Sequence, residues 1–172
     1  MSQVGHFEKV SYEQYAQAMC DALNLPIDRS HDIFREAYDA LELPTRATSG
    51  SAGYDFHSTC EVYLQPGETA KIPTGIRAKI DDGWFLMMVP RSSLGFKYRM
   101  QLANTVGIVD ADYYYSDNEG HIFCKITNDS KDGKTLEFGF NDRFCQGIFL
   151  PYGITYDDNA TAVRNGGMGS TN

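Results

Sequence analysis

The chain has 172 residues, 42% of them hydrophobic and 13% aromatic. That suits one packed domain with a small appendage and excludes a disordered chain. Its formal net charge of -8, from 23 acidic and 15 basic residues, repels a nucleic-acid backbone, so no polymeric nucleic-acid partner is expected.

Nowhere is there an apolar run long enough to span a bilayer, so no membrane partner is expected and the cytoplasm is the default location. Cys20, Cys60, Cys124 and Cys145 stand far apart, without Cys-x-x-Cys or histidine spacing. They read as reduced core thiols rather than a zinc site or a disulfide framework.

Near the N-terminus, Ser11-Tyr-Glu-Gln reads as a capping box, and Tyr12, Tyr15, Ala16, Met19, Cys20 and Leu23 recur on one helix face before Pro26. A second short helix is expected from about Ser30 to Leu41, stopped by Pro44. Both stripes call for packing on the main body or on a partner subunit. After residue 44 the pattern turns to short β-type runs separated by turn signals such as QPGE, DDG and DNEG. The expected strands are EVYLQ, AKIPTGIRAKI, WFLMMVP, HIFCKITN, TLEFGF and RFCQGIFLP, with no helix between them. Such a series predicts an all-β sandwich, jelly roll or partly closed barrel. The chain thus divides into a helical extension (1–44), a β domain (45–158) and a Gly-rich, mobile C-terminal arm (159–172).

Three stretches carry chemistry. Pro90 to Gly95, PRSSLG, follows an apolar strand and offers a guanidinium (Arg91), two hydroxyls (Ser92, Ser93) and free backbone N–H groups to an oxyanion. Arg164 to Thr171, RNGGMGST, combines an Arg, glycines that let backbone approach a ligand, and the hydroxyls of Ser170 and Thr171. In VGIVDADYYY an apolar approach leads to Asp110, a carboxylate at a strand end, shielded enough to take a proton from water. A turn-forming Asp is the plain alternative. Asp112 would share its face if the strand continued, and Tyr113 to Tyr115 offer flat surfaces to a sugar or base, or simply fill a core.

Taken in order, SAGYDF (51–56), PRSSLG (90–95), NTVGIVDADYYY (104–115), RFCQGIF (143–149) and RNGGMGST (164–171) resemble the five motifs of the trimeric deoxyuridine triphosphatase (dUTPase) family. The resemblance runs from about residue 45 to the end. It implies a distorted jelly-roll, barrel-like β sandwich, a homotrimer with shared sites, an arm that closes on nucleotide, and Mg²⁺-dependent hydrolysis of dUTP to dUMP and pyrophosphate.

By the same resemblance, Asp110 is the general base that activates water against the α-phosphorus. Tyr113 stacks under the deoxyribose and excludes a 2′-hydroxyl, while Asn104 and the backbone around Gly107 read the uracil edge. Arg91, Ser92, Ser93 and Gln146 contact phosphates, and Asp55 holds waters of the magnesium shell. Arg164, Ser170 and Thr171 grip the outer phosphates. Met168 stands where the family has a Phe over uracil, and the arm is one residue shorter before its Gly pair.

Two other functions remain open on the residues alone. A dCTP deaminase of the same fold would need a Glu where Lys125 stands. A dUTP-binding regulatory protein would need the pocket but not Asp110 as a base.

Overall fold

The computed structural model describes residues 2–26 and 31–166, so Met168, Ser170 and Thr171 lie outside the described residues. The architecture is a jelly-roll-like antiparallel sandwich. Its main sheet has five strands in the order β2 (Thr45–Arg46), β3 (Tyr54–His57), β12 (Arg143–Pro151), β7 (Trp84–Pro90) and β9 (Gly107–Val109). Against it stands the sheet β5 (Thr69–Pro73), β10 (Phe123–Asn128), β8 (Met100–Leu102), together with two-stranded pairs. One pair joins β11 (Leu136–Phe138) to β4 (Val62–Leu64), and the other joins β1 (Gly5–Lys9) to β6 (Ile76–Ile80). None of these sheets closes into a barrel.

Period-two alternation explains the core. On β7, Leu86 and Met88 are fully buried while Phe85 and Met87 are half-buried, and Phe56, Val109, Ile72, Ile126, Leu136 and Phe144 meet them in one apolar cluster. The cysteines are free. Burial pushes the Cys145 thiol up, and the Cys124 thiol beside it adds to this, so Cys145 stays a neutral core filler. Among the described residues, no helix is long and apolar enough to cross a membrane.

The structure departs from the sequence expectations in both the N-terminal extension and the β region. The first forty residues are not helical throughout, because GHFEK pairs with β6, Phe7 opposite Ala78. Helix α1 (Tyr12–Leu23) forms as expected and buries Tyr12, Tyr15, Ala16, Met19 and Cys20, but Leu23 is exposed and Asn24, at φ 53, ends the helix before Pro26. The second helix, α2 (Arg35–Asp39), is shorter than its stripe and follows a 3₁₀ turn.

The β region also contains a helix, α3 (Ser92–Tyr98), and the run AKIPTGIRAKI breaks into β5 and β6 at Thr74 and Gly75. Gly75 adopts φ 71, and a Cβ there would sit 2.4 Å from Leu41 Cδ1, so only glycine lets the helical layer lie this close.

Candidate active site

The phosphate-type residues gather at the C-terminal end of β7. Arg91 is the N-cap residue of α3, which places Ser92 and Ser93 in its exposed first turn. Gln146 on β12 faces Asp55 on β3, and Asp55, Arg91, Ser92, Ser93 and Gln146 line one pocket of about 280 Å³. The Asp55 side chain is 10% exposed and lies between two guanidinium groups, Arg91 Nε at 3.5 Å and Arg143 Nη1 at 3.3 Å. Gln146 Nε2 donates to Pro90 O at 3.5 Å, and a Cβ on Gly53 would fall 2.2 Å from Gln146 Oε1.

Arg143 is the residue the sequence reading left without a role. Strict alternation puts Arg143 and Gln146 on opposite faces, but the bulge between Arg143 and Cys145 lets the guanidinium reach Asp55.

The second cluster lies near the other end of the same strand. β9 stops at Val109, which pairs with Leu86, and Asp110 then starts a 3₁₀ turn over Ala111–Tyr115. The strand does not continue to Asp112, so the two carboxylates are not strand neighbours on one face. Tyr113 is buried, and its hydroxyl donates to His121 O at 2.7 Å and accepts from Asn118 Nδ2 at 2.8 Å. Tyr114 is half-buried and Tyr115 exposed.

Arg164 of the arm lies on this cluster. Its Nη2 donates to Asp110 Oδ2 at 2.5 Å, its Nε lies 3.1 Å from Asp112 Oδ1 without hydrogen-bond alignment, and its guanidinium is 5.6 Å from the centre of the Tyr113 ring. Burial raises the Asp110 carboxyl above its ordinary range, and Arg164 offsets only part of that. With the Asp110 side chain 47% exposed, the pair is worth at most about 1 kcal/mol.

Asn104 sits at the exposed tip between β8 and β9, where Thr105 adopts φ 69 and Val106 N–H donates to Asn104 O at 2.8 Å. Gly107 is buried against β7, where a Cβ would come within 3.0 Å of Met88 Cβ. Within one chain the two clusters stay apart: Arg91 follows the last residue of β7, whereas Asp110 follows the partner of Leu86. Asp110 comes level with Phe85, six residue steps from Arg91, roughly 20 Å.

Among the described residues no group of three or more His, Cys, Asp or Glu could hold a metal ion. The donor set fits an ion carried in on phosphates and touched through water, since Asp55 is a single carboxylate already shared by two arginines.

A cradle of Arg, Ser and Gln at one end of a jelly-roll sheet and a half-buried carboxylate towards the other suit a protein that binds a phosphorylated ligand. A model of the dUTPase family matches residues 39–172. The deoxyuridine 5′-triphosphate nucleotidohydrolase of Lactococcus lactis subsp. lactis (strain IL1403) is 40% identical over 134 residues, 76% of this chain and 88% of its own. The enzyme of that name from Escherichia coli O9:H4 (strain HS) is 38% identical over 135 residues, 74% of this chain and 85% of its own. The crystal structure of dUTPase from Streptococcus mutans superposes with a TM-score of 0.63 at 30% identity, covering 87% of this chain and 98% of that one. The chain belongs to the dUTPase family.

Proposed function

We propose that the protein hydrolyses dUTP to dUMP and pyrophosphate, with Asp110 as the general base. The observation that carries this is the half-buried Asp110 carboxylate, raised by burial and held by Arg164, three residues before the buried Tyr113. Asp110 takes a proton from a water, the water oxygen forms a bond to the α-phosphorus, and the bond from that phosphorus to the α,β-bridging oxygen breaks. Pyrophosphate leaves with the electron pair. The names of the Lactococcus and Escherichia relatives support the substrate.

Arg91, Ser92, Ser93 and Gln146 bind the phosphate chain, with Arg143 alongside and Asp55 orienting both guanidinium groups. Asp55 would hold waters in the shell of a Mg²⁺ ion brought in on the triphosphate, and that ion would supply neutralisation of the charge building on the departing pyrophosphate. A phage phi11 dUTPase of the same fold, 21% identical with a TM-score of 0.57, is described as coordinating a structural Mg(II) ion.

Asn104 and the Gly107 backbone read the uracil edge, and Tyr113 packs under the deoxyribose. A triphosphate offers Arg164 a stronger anion than the Asp110–Asp112 pair, so binding draws the arm, with Met168, Ser170 and Thr171, onto the nucleotide. Asp110 is then left without its cation and becomes a better base.

A site assembled from several chains follows from the same picture. Because the cradle and Asp110 lie at opposite ends of β7, a nucleotide touching both is best served by different copies. We assign a homotrimer with shared sites, in which the β domain forms the body and residues 159–172 act as the closing arm. Deamination finds no support at Lys125, an exposed residue of β10 opposite Lys71.

The test is pyrophosphate release from dUTP with Mg²⁺, run beside UTP, dCTP and dTTP and beside Asp110→Asn. Release from dUTP alone is expected, with turnover in the variant lower by roughly 10²-fold or more while nucleotide binding persists. Full turnover in the variant would remove Asp110 from the mechanism, and binding without release by the intact protein would favour the regulatory alternative.

A further inference from the structure

The stretch matched by the family begins at residue 39, yet residues before it hold the loop after Asp110 at three separate points. At the first, Tyr114 Oη donates to Glu8 Oε2 at 2.8 Å, an oxygen that also pairs with Arg77 Nη2 at 2.7 Å. The Arg77 guanidinium lies 4.4 Å from the centre of the Tyr114 ring. At the second, Ser11 N–H donates to Glu119 Oε2 at 2.7 Å and Ser11 Oγ donates to Glu119 Oε1 at 2.6 Å. At the third, the Gln14 amide lies 3.4 Å from His121 Nδ1. His121 Nε2 accepts from Gly75 N–H at 2.8 Å, so the proton of the neutral ring sits on Nδ1; the Gln14 atom facing it is Nε2, and interchanging the amide O and N lets Gln14 accept that proton.

Ser11 is the N-cap residue of α1 and accepts from Gln14 N–H at 3.2 Å. In a local capping box the Gln14 side chain would return to Ser11 N–H. Here that place is taken by Glu119, 108 residues further along, and Gln14 is spent on His121 instead. The helix start and the site loop therefore complete each other.

The loop also needs the grip. Glu119 at φ 58 and Gly120 at φ 70 are both left-handed, and a Cβ on Gly120 would lie 2.7 Å from Tyr114 Cα. The chain doubles back tightly onto Tyr113 and Tyr114. A glutamate persists in that conformation where its surroundings fix it, and the two bonds from Ser11 do so. Tyr113 takes its place from the same loop, through His121 O and Asn118 Nδ2.

We propose that Glu8, Ser11 and Gln14 are positioning residues of the nucleotide site: they clamp residues 111–122 and so set where Tyr113 stands against the sugar. The proposal rests on Tyr113 as the group that excludes a 2′-hydroxyl. Rejecting one extra oxygen by contact requires a wall that does not yield, and a loop released at three points yields.

The experiment compares the full-length Glu8→Gln/Ser11→Ala double variant with wild type and with Ser11→Thr, which retains the hydroxyl. kcat and KM are measured for dUTP and for UTP at a temperature where melting curves show every protein folded. The dUTP-over-UTP ratio of kcat/KM is expected to fall about tenfold in the double variant and to be retained by Ser11→Thr. A ratio unchanged in the double variant, with only its melting temperature lowered, would overturn the proposal and leave the segment a structural prop. Should the wild type bind dUTP without hydrolysing it, the same ratio is read as Kd by calorimetry. A tenfold fall there would sink the hydrolase reading and keep the clamp; no binding at all would remove both.

Discussion

Gly53→Ala tests the phosphate cradle through a residue that makes no side-chain contact of its own. Its added Cβ would lie 2.2 Å from Gln146 Oε1, 3.1 Å from Gln146 Cδ and 3.4 Å from Gln146 Cβ. Every close atom belongs to one side chain, so the clash is relieved by swinging Gln146 out of the pocket it shares with Arg91, Ser92 and Ser93. Gly53 is not in the left-handed region, so alanine adds no backbone strain, and stability should change by less than about 1 kcal/mol.

Losing a hydrogen bond from Gln146 to a charged phosphate costs about 1.5–3 kcal/mol, or about 10- to 150-fold in kcat/KM. The assay is steady-state pyrophosphate release from dUTP, with thermal melting as the control. Gln146→Ala should lose a similar factor, and the double variant should be no worse than the poorer single one, because both act on the same bond. Full kcat/KM in Gly53→Ala, or additive losses in the double variant, would refute the assignment of Gln146 to phosphate.

Two further predictions concern protons. Arg164 holds the Asp110 carboxyl below where burial alone would put it, so Arg164→Gln should move the acid limb of the kcat/KM profile to higher pH; an unmoved limb would mean that the pair does not form in the free enzyme. His121 is fully buried, and burial, with Lys71 nearby, holds its folded pKa down to about 3 from an ordinary 6.5. The unfolded chain therefore binds the extra proton first, and stability should fall as the pH drops below 6.5. Glu8, held at about 2, loses its own contribution only as the pH falls from 4.5 towards 2. The window from 6.5 to 4.5 thus separates His121 from Glu8, at roughly 2–3 kcal/mol. Denaturant melts at the two pH values should show that loss in the wild type and little of it in His121→Asn; equal slopes would assign the effect elsewhere.

Much of this molecule is written locally. WFLMMVP and RFCQGIFLP become β7 and β12 because their alternation and β-branched or aromatic content leave no other good way to bury them. Asp110 is visible as a carboxylate at a strand end for the same reason. What escapes local inspection depends on distant partners. GHFEK carries three polar or charged residues and becomes a strand only because β6 offers an edge. SSLGFKY reads as a turn on account of its serines and Gly95, yet it forms a helix that opens with Leu94 and Gly95 N–H donating to Arg91 O, without a side-chain cap. The role of Arg143 depends on a bulge, and the grip of Ser11 on Glu119 spans 108 residues, so neither leaves a periodic trace. Motif order likewise says nothing of the length of β7 that divides the site.

That division bears on inheritance as well as on catalysis. A chain with a broken cradle still presents a sound Asp110, and a chain lacking Asp110 still presents a sound cradle. Were both kinds made together, the homotrimer proposed above would bring intact halves face to face in mixed assemblies and recover part of the activity that each kind lacks alone. Selection would then act on the company a chain keeps, and two lesions at the two ends of the sheet would be judged by whether they travel in one copy or in two.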